Sequence, residues 1–325
     1  MIPNFSYIQP RSLEQVIDHL SPEGSVLHAG GTDLLGCLRD GVFPATKMVS
    51  LNALGFLRGI AETSEGGVRI GSLTTISQVA GHPLLKSRYA ALAQAASEVG
   101  SPQLRNQGTL GGNICQRPRC WYYRGEFHCL RKGGAMCYAV AGENQFHCIF
   151  GGEGCYIVHP SDTAPALMAL GATLRIAGPA GSRTVPVENF FVLPRVDVTR
   201  ENVLKSNEVV TDIILPPPPQ GSVSSYRKAR ARRSWDFALA GVAVALVFRD
   251  GLVTDARVVL SGVAPVPWRA KDAEDALTGK RLDGEIKTAA AAAVRGAKPL
   301  SGNAYKIALT QGLIEEALLA HTRSG

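Results

Sequence analysis

A chain of 325 residues with 45% hydrophobic and 19% charged side chains carries apolar material for more than one core, which excludes a disordered or fibrous polymer. The formal charge of +7 is scattered except over residues 227–233, and no nucleic-acid-binding motif accompanies it, so nucleic acid is not an expected partner. No apolar run approaches the roughly 20 residues of a membrane span, and the first seven residues hold neither a basic nor an apolar segment. A chain with no membrane span and no export signal of its own is expected, cytoplasmic or else exported folded with a signal-bearing partner.

In chain order, Ser12-Leu-Glu-Gln15 has the capping-box pattern, and Leu13, Val16, Ile17 and Leu20 follow at helical spacing. Residues 25–28 read as a strand that runs into Ala29-Gly30-Gly31-Thr32-Asp33, and residues 47–51 as another. Residues 68–71 open a new sheet, and the Ala-rich stretch 89–99 is a helix closed by Gly100. Four consecutive prolines, Pro216 to Pro219, continue neither a helix nor a central strand and mark a boundary. Beyond them, residues 238–248 and 253–260 read as two strands joined by a turn at Asp250-Gly251. Helices are expected over 270–277, 284–294 and 305–321. The expected organisation is α+β: a small α/β part (1–57), a larger part (58–219) and a C-terminal α+β domain (220–325).

Two loops combine glycine with small polar residues. The first is Ala29 to Asp33; the second is Gly108-Thr109-Leu110-Gly111-Gly112-Asn113, preceded by Gly100-Ser101-Pro102-Gln103. Glycine admits positive φ and close backbone approach, so such loops can present N–H groups to a phosphate, with Ser and Thr hydroxyls adding donors. Taken singly, such a loop is more often just a tight turn. Neither is a Walker A loop or a dinucleotide fingerprint.

Six of the seven cysteines (Cys115, Cys120, Cys129, Cys137, Cys148, Cys155) fall within 41 residues, and Cys37 stands apart. A long chain without a signal peptide is a poor candidate for a disulfide framework, so bunched thiols point to metal ligation. From Cys120 onward the spacings are x8, x7, x10 and x6, with no C-x-x-C of the zinc-ribbon kind. Thiolates on an irregular loop can enclose an iron–sulfur cube, because ligation needs convergence in space and no fixed register. A structural zinc and free thiols are the alternatives.

The order of motifs resembles the FAD subunits of the xanthine dehydrogenase family over essentially the whole chain. The resemblance is carried by Ala29-Gly-Gly-Thr-Asp-Leu-Leu35, Gly100-Ser-Pro-Gln-Leu-Arg-Asn-Gln-Gly-Thr-Leu-Gly-Gly-Asn113, His159-Pro-Ser-Asp-Thr-Ala-Pro-Ala-Leu167, and Tyr226-Arg-Lys228 with Asp236-Phe-Ala-Leu-Ala240. It implies a two-part FAD-binding domain of the vanillyl-alcohol-oxidase type followed by the C-terminal domain. It also implies that the FAD pyrophosphate is held by Leu27, His28, Ala29, Gly30, Gly31, Thr32, Asp33 and Leu34. Ser101, Thr109, Gly111, Gly112 and Asn113 then lie along flavin and diphosphate. Ser161 and Asp162 meet the ribose and diphosphate, and Lys228 reaches the cofactor near the flavin. For Lys228 the plain alternative is one member of a solvated basic strand. A covalent flavin link through His28 has no support in the family pattern.

About 40 residues intervene between the second loop and His159. They look like the insertion of 4-hydroxybenzoyl-CoA reductases and bacterial aldehyde oxidoreductases, whose flavin subunits carry an additional [4Fe–4S] cluster. Matched motif to motif, its ligands fall on Cys120, Cys129, Cys137 and Cys155, while Cys148 is a small buried residue, Cys115 belongs to the flavin loop and Cys37 to a core. The function implied is electron transfer. A large molybdopterin-binding catalytic subunit and a small subunit with two [2Fe–2S] centres would exchange electrons with the FAD and cluster held here, in a heterotrimer or a dimer of heterotrimers, and an external carrier would take or give them. Catalytic residues are not expected on this chain. The rivals are a free-standing FAD oxidase of the same superfamily and a non-enzymatic zinc-stabilised binding module.

Overall fold

The structure is a computed structural model that describes residues 2–20 and 24–322. The N-terminal unit is a three-stranded parallel sheet in the order β1-β3-β2, from β1 (Ser6–Ile8), β2 (Ser25–His28) and β3 (Lys47–Ser50). Helix α1 (Leu13–Leu20) makes the crossover between β1 and β2, and α2 (Leu34–Arg39) that between β2 and β3. Ser12 Oγ accepts from the Gln15 N–H at 3.3 Å at the start of α1, as the capping-box pattern expects. Val16 and Leu20 of α1 pack under Val49 and Leu51, where the helical spacing of their apolar residues puts them.

The second unit is a five-stranded antiparallel sheet in the order β4-β5-β8-β6-β7: β4 (Ile60–Glu62), β5 (Val68–Gly71), β6 (Thr173–Gly178), β7 (Gly181–Pro186) and β8 (Val209–Leu215). Between β5 and β6 run the helices α3 (Ile76–Gly81), α4 (Pro83–Arg88), α5 (Ala90–Ser97), α6 (Pro102–Gln107), α7 (Leu110–Ile114), α8 (Trp121–Arg124) and α9 (Thr163–Ala169). Ala91, Ala93, Ala95 and Ala96 of α5 and all of α9 are buried, because small side chains let these helices sit close between two sheets.

The third sheet has the order β12-β11-β10-β9 and is antiparallel throughout: β9 (Ser222–Ala229), β10 (Ala240–Arg249), β11 (Leu252–Ser261) and β12 (Trp268–Arg269). The two strands expected here are β10 and β11, joined at Asp250 (φ 52°) and Gly251 (φ 75°), the left-handed pair that a two-residue hairpin requires. Two further strands, β9 and β12, flank them. Tyr226, Ala243 and Val259 face the core of the second unit, while Val242, Val244 and Leu260 face α10 (Lys271–Leu277), α11 (Leu282–Ala293) and α12 (Tyr305–Leu319). Burial on both faces is why β10 reads as a continuous apolar run instead of alternating. The basic stretch is a strand only as far as Ala229; Arg230, Arg232 and Arg233 lie in the loop beyond it.

Candidate cofactor sites

The first glycine loop leaves β2 at His28 and enters α2 at Leu34. Gly31 has φ +72°, which L side chains rarely adopt, and a Cβ on Gly30 would stand 2.0 Å from the carbonyl oxygen of Gln107. The two loops therefore touch, backbone against backbone. The N–H groups of Gly30, Gly31, Thr32, Asp33 and Leu34 have no acceptor among the described residues, and β2 beside them is half-buried along its whole length. Successive unsatisfied amides make a concave donor surface suited to a diphosphate. Burial lowers the pKa of His28, and its Nδ1 lies buried without a partner while its ring packs edge-on against Tyr7.

In the second loop, Gly108 to Asn113, every N–H except that of Thr109 already has an acceptor. Ser101 caps α6, its Oγ accepting from the Leu104 N–H at 3.3 Å, and Thr109 caps α7, its Oγ1 accepting from the Gly112 N–H at 3.1 Å. Gly111 donates to the Ser72 carbonyl at 2.9 Å, and a Cβ on it would stand 2.8 Å from Ser72 Cβ. Gly111 is thus a packing glycine against Ser72, the residue that follows β5. Gly112 is exposed, and only Thr109 Oγ1 would meet its Cβ. A bulky residue at Gly111 is therefore expected to disturb this packing itself, whereas one at Gly112 is not.

Asn113 joins this loop to the start of α9: its Oδ1 accepts from Ser161 Oγ at 2.6 Å and Thr163 Oγ1 at 2.7 Å. Next to Ser161, the Asp162 carboxylate accepts from Tyr226 Oη at 2.8 Å and Lys228 Nζ at 2.7 Å, and Lys228 also donates to the Glu98 carbonyl at 3.1 Å. Burial pushes the Asp162 carboxyl upward and the Lys228 ammonium opposes it. Lys228, at 1% side-chain exposure, is no member of a solvated face. The residues named from sequence are therefore contiguous: loop one on loop two, loop two on Ser161, and Asp162 on Lys228. Tyr226, which ties Asp162 to Ser261, was not singled out from sequence, although it heads the Tyr226-Arg-Lys228 motif.

In the insertion, Cys120, Cys129, Cys137 and Cys155 line one small void together with Tyr122 and His147, and Cys148 does not line it. No three His, Cys, Asp or Glu side chains among the described residues are gathered as one metal ion would need; the four thiols ring a space instead. A hydrogen bond with Cys155 and N–H groups from Tyr156, Ala139 and Val140 bring the Cys137 thiol down to about 6. Burial pushes Cys120 up to about 11, and its Sγ lies 3.3 Å from His147 Nε2. Cys148 is wholly buried and pushed up to about 12 by burial. Cys37 is also wholly buried, against Val42, Tyr123 and Cys129.

The loop that carries these thiols is held from two sides. Asn303 Nδ2 donates to the carbonyls of His147 (3.0 Å) and Cys148 (3.1 Å), and Lys306 Nζ to those of Phe146 (2.9 Å) and Gly262 (2.6 Å). On the other side Glu201 takes Arg117 and Arg131, and Asp33 takes Arg119 and Arg124. These arginines are interspersed among the cysteines in sequence, which is the only local sign of their role.

Residues 3–218 match the family model described as the FAD binding domain in molybdopterin dehydrogenase, and residues 224–321 match the CO dehydrogenase flavoprotein C-terminal domain. The chain is 35% identical over 299 residues to the aldehyde oxidoreductase FAD-binding subunit PaoB of Escherichia coli (strain K12), covering 91% of each. It is 31% identical over 327 residues to the carbon monoxide dehydrogenase medium chain of Hydrogenophaga pseudoflava, covering 98% of this chain and 97% of that one. A solved carbon monoxide dehydrogenase from the same organism, lacking the Mo-pyranopterin moiety of its molybdenum cofactor, superposes with a TM-score of 0.80 at 29% identity, covering 100% of this chain and 99% of that chain. The chain belongs to the family of FAD-binding medium subunits of molybdopterin dehydrogenases. The expected α+β fold and the oxidoreductase-subunit class are both borne out. No helix of the described residues is long and apolar enough to cross a membrane.

Proposed function

We propose that this chain is the electron-transfer subunit of a heteromeric molybdenum hydroxylase, holding FAD and a [4Fe–4S] cluster between a catalytic partner and an external carrier. The observation that carries the cluster is the shared void: four cysteines spread over the insertion line one space, and the fifth cysteine of the insertion does not line it. The relatives named as medium chains support a large molybdopterin subunit and a small [2Fe–2S] subunit as partners, assembled as a heterotrimer or its dimer. A cytoplasmic complex, or a periplasmic one exported folded, fits a chain of this kind.

For FAD, the free amides of residues 30–34 would hold the diphosphate, and Gly112 would give it room along the second loop. Asn113, Ser161 and the Asp162–Lys228 pair would form the wall beyond. Cys120, Cys129, Cys137 and Cys155 would ligate the cluster as thiolates, with neutral His147 beside Cys120, since burial lowers that imidazole to about 4. Bound flavin and cluster supply the redox chemistry; the chain sets their surroundings through burial and hydrogen bonds. On the same reading the chain divides at 57/58 and 219/220 into the two FAD-binding parts and the C-terminal domain.

The test is the visible spectrum and metal content of the complex purified from its host. Flavin bands with a broad iron–sulfur shoulder, four irons and four sulfides per chain beyond those of the [2Fe–2S] centres are expected. Flavin with no additional iron would favour a subunit without a cluster, and zinc in its place a mononuclear structural site.

A further inference from the structure

Asp33 is the last residue of the first glycine loop, yet its carboxylate is spent on the cysteine insertion. Oδ2 accepts from the Arg117 N–H at 2.7 Å, while Oδ1 accepts from Arg124 Nη2 at 2.7 Å and lies 3.0 Å from Arg119 Nη2. Arg124 also donates from Nε to the Pro118 carbonyl (2.8 Å) and from Nη2 to the Arg117 carbonyl (3.2 Å), so residues 117–124 are folded around one carboxylate. Its own N–H closes on the Cys120 carbonyl at 2.9 Å, which fixes the turn that Cys120 begins.

The chain of charges continues. Arg117 pairs with Glu201, whose Oε1 takes Nε (3.1 Å) and Nη2 (2.5 Å) of Arg131, and Arg131 lines the void of the four thiols. Side-chain exposure is 16% at Asp33, rises to 37% at Arg117, and falls to 5% at Glu201 and 1% at Arg131. A parallel apolar contact runs beside it: Cys37 of α2 packs with Tyr123 and Cys129 of the insertion. A guanidinium buried against a carboxylate is costly to leave unpaired, so the arrangement is held as a unit.

We propose that Asp33 is a positioning residue shared by two sites, locking the free amides of residues 30–34 and the thiols of Cys120 and Cys129 in one fixed relation. The proposal rests on the reading of those amides as the FAD cradle and of the thiols as cluster ligands. It makes occupancy of one site felt at the other through one carboxylate.

The test uses the whole complex with Asp33→Ala, Asp33→Glu, Arg124→Gln and the Asp33→Ala/Arg124→Gln pair. FAD dissociation constant, iron per chain, the electron paramagnetic resonance signal of the reduced cluster and tryptic cleavage within residues 117–132 are read together. Asp33→Ala is expected to raise the FAD dissociation constant about tenfold and to change the cluster signal or lower its iron. Asp33→Glu should restore part of both, Arg124→Gln should reproduce both, and the double variant should be no worse than the worse single one. A variant that alters one site alone, or lowers thermal stability while both cofactors bind as in the parent, overturns the proposal. Iron in the parent tests the cluster reading separately. If the parent holds none, unchanged cleavage of residues 117–132 with unchanged FAD affinity in Asp33→Ala overturns the coupling.

Discussion

Asp162→Ala is expected to cost more stability than any other single substitution around the second loop. The carboxylate accepts from Tyr226 and Lys228 at 2.8 and 2.7 Å, with side-chain exposures of 5% for Asp162 and 1% for Lys228. Once it is gone, the ammonium keeps one acceptor among the described residues, the Glu98 carbonyl at 3.1 Å, while Tyr226 still has Ser261 Oγ at 3.1 Å. Removing one partner of a buried pair costs about 3–5 kcal/mol, and the stranded charge sets that figure. Lys228→Met should cost less, because burial already pushes Asp162 upward and loss of the opposing ammonium lets it take a proton. The sign of the pH effect follows. A carboxyl whose folded pKa is raised binds protons more tightly when folded, so stability falls as pH rises from the ordinary value of 3.8 through the raised one. Lys228→Met should therefore lie closer to the parent at pH 5 than at pH 8. The double variant leaves no unpaired charge and should be less damaged than the sum of its parts by about 1–3 kcal/mol. Urea unfolding of the four proteins at both pH values measures all of this. Additive losses that do not change with pH would refute the buried-pair account.

Gly30→Ala should abolish FAD retention, because its Cβ has nowhere to go against the Gln107 carbonyl; a variant with full flavin content would show that the loops can part. Gly112→Val should purify folded and flavin-poor, whereas Gly111→Val should lower the unfolding temperature through its clash with Ser72, with or without flavin. Serine in place of Cys120, Cys129, Cys137 or Cys155 should each lower iron content, and Cys148→Ala should keep it; the reverse pattern in iron analysis would move the ligand set. Burial brings the Lys306 ammonium down to about 7, so the unfolded chain holds more protons above that pH and stability should climb between pH 7 and the ordinary value of 10.5. Lys306→Met should flatten that climb in thermal melts, and matching profiles in parent and variant would count against a charge buried there.

What the sequence makes legible here is what its residues do locally, and what it hides is which way a polar side chain turns. Glycine's requirements are local, so both loops could be placed, and only the structure separates Gly111, packed on Ser72, from exposed Gly112. Thiols are scarce, so a cysteine-rich insertion stands out in sequence, but the spacing of five cysteines does not say which face a common space; the structure puts Cys120, Cys129, Cys137 and Cys155 around one void and leaves Cys148 out of its lining. Carboxylates carry no such mark. Asp33 and Asp162 both sit beside glycine loops and both suit a nucleotide on chemical grounds. One accepts from the Arg117 N–H, 84 residues away, and the other from Lys228, 66 residues away. These partners come together only when the parallel sheet, the helical layer and the third sheet have packed, so no window of sequence contains them. The strands β9 and β12 were hidden for a related reason. Short or charge-bearing edge strands draw their regularity from the neighbour they pair with, and β10 and β11 supply it here. The consequence for function is specific. In a site of this kind the unspent backbone amides are the better guide to where an anion binds, because the side chains that look like ligands have already been spent on holding those amides in place.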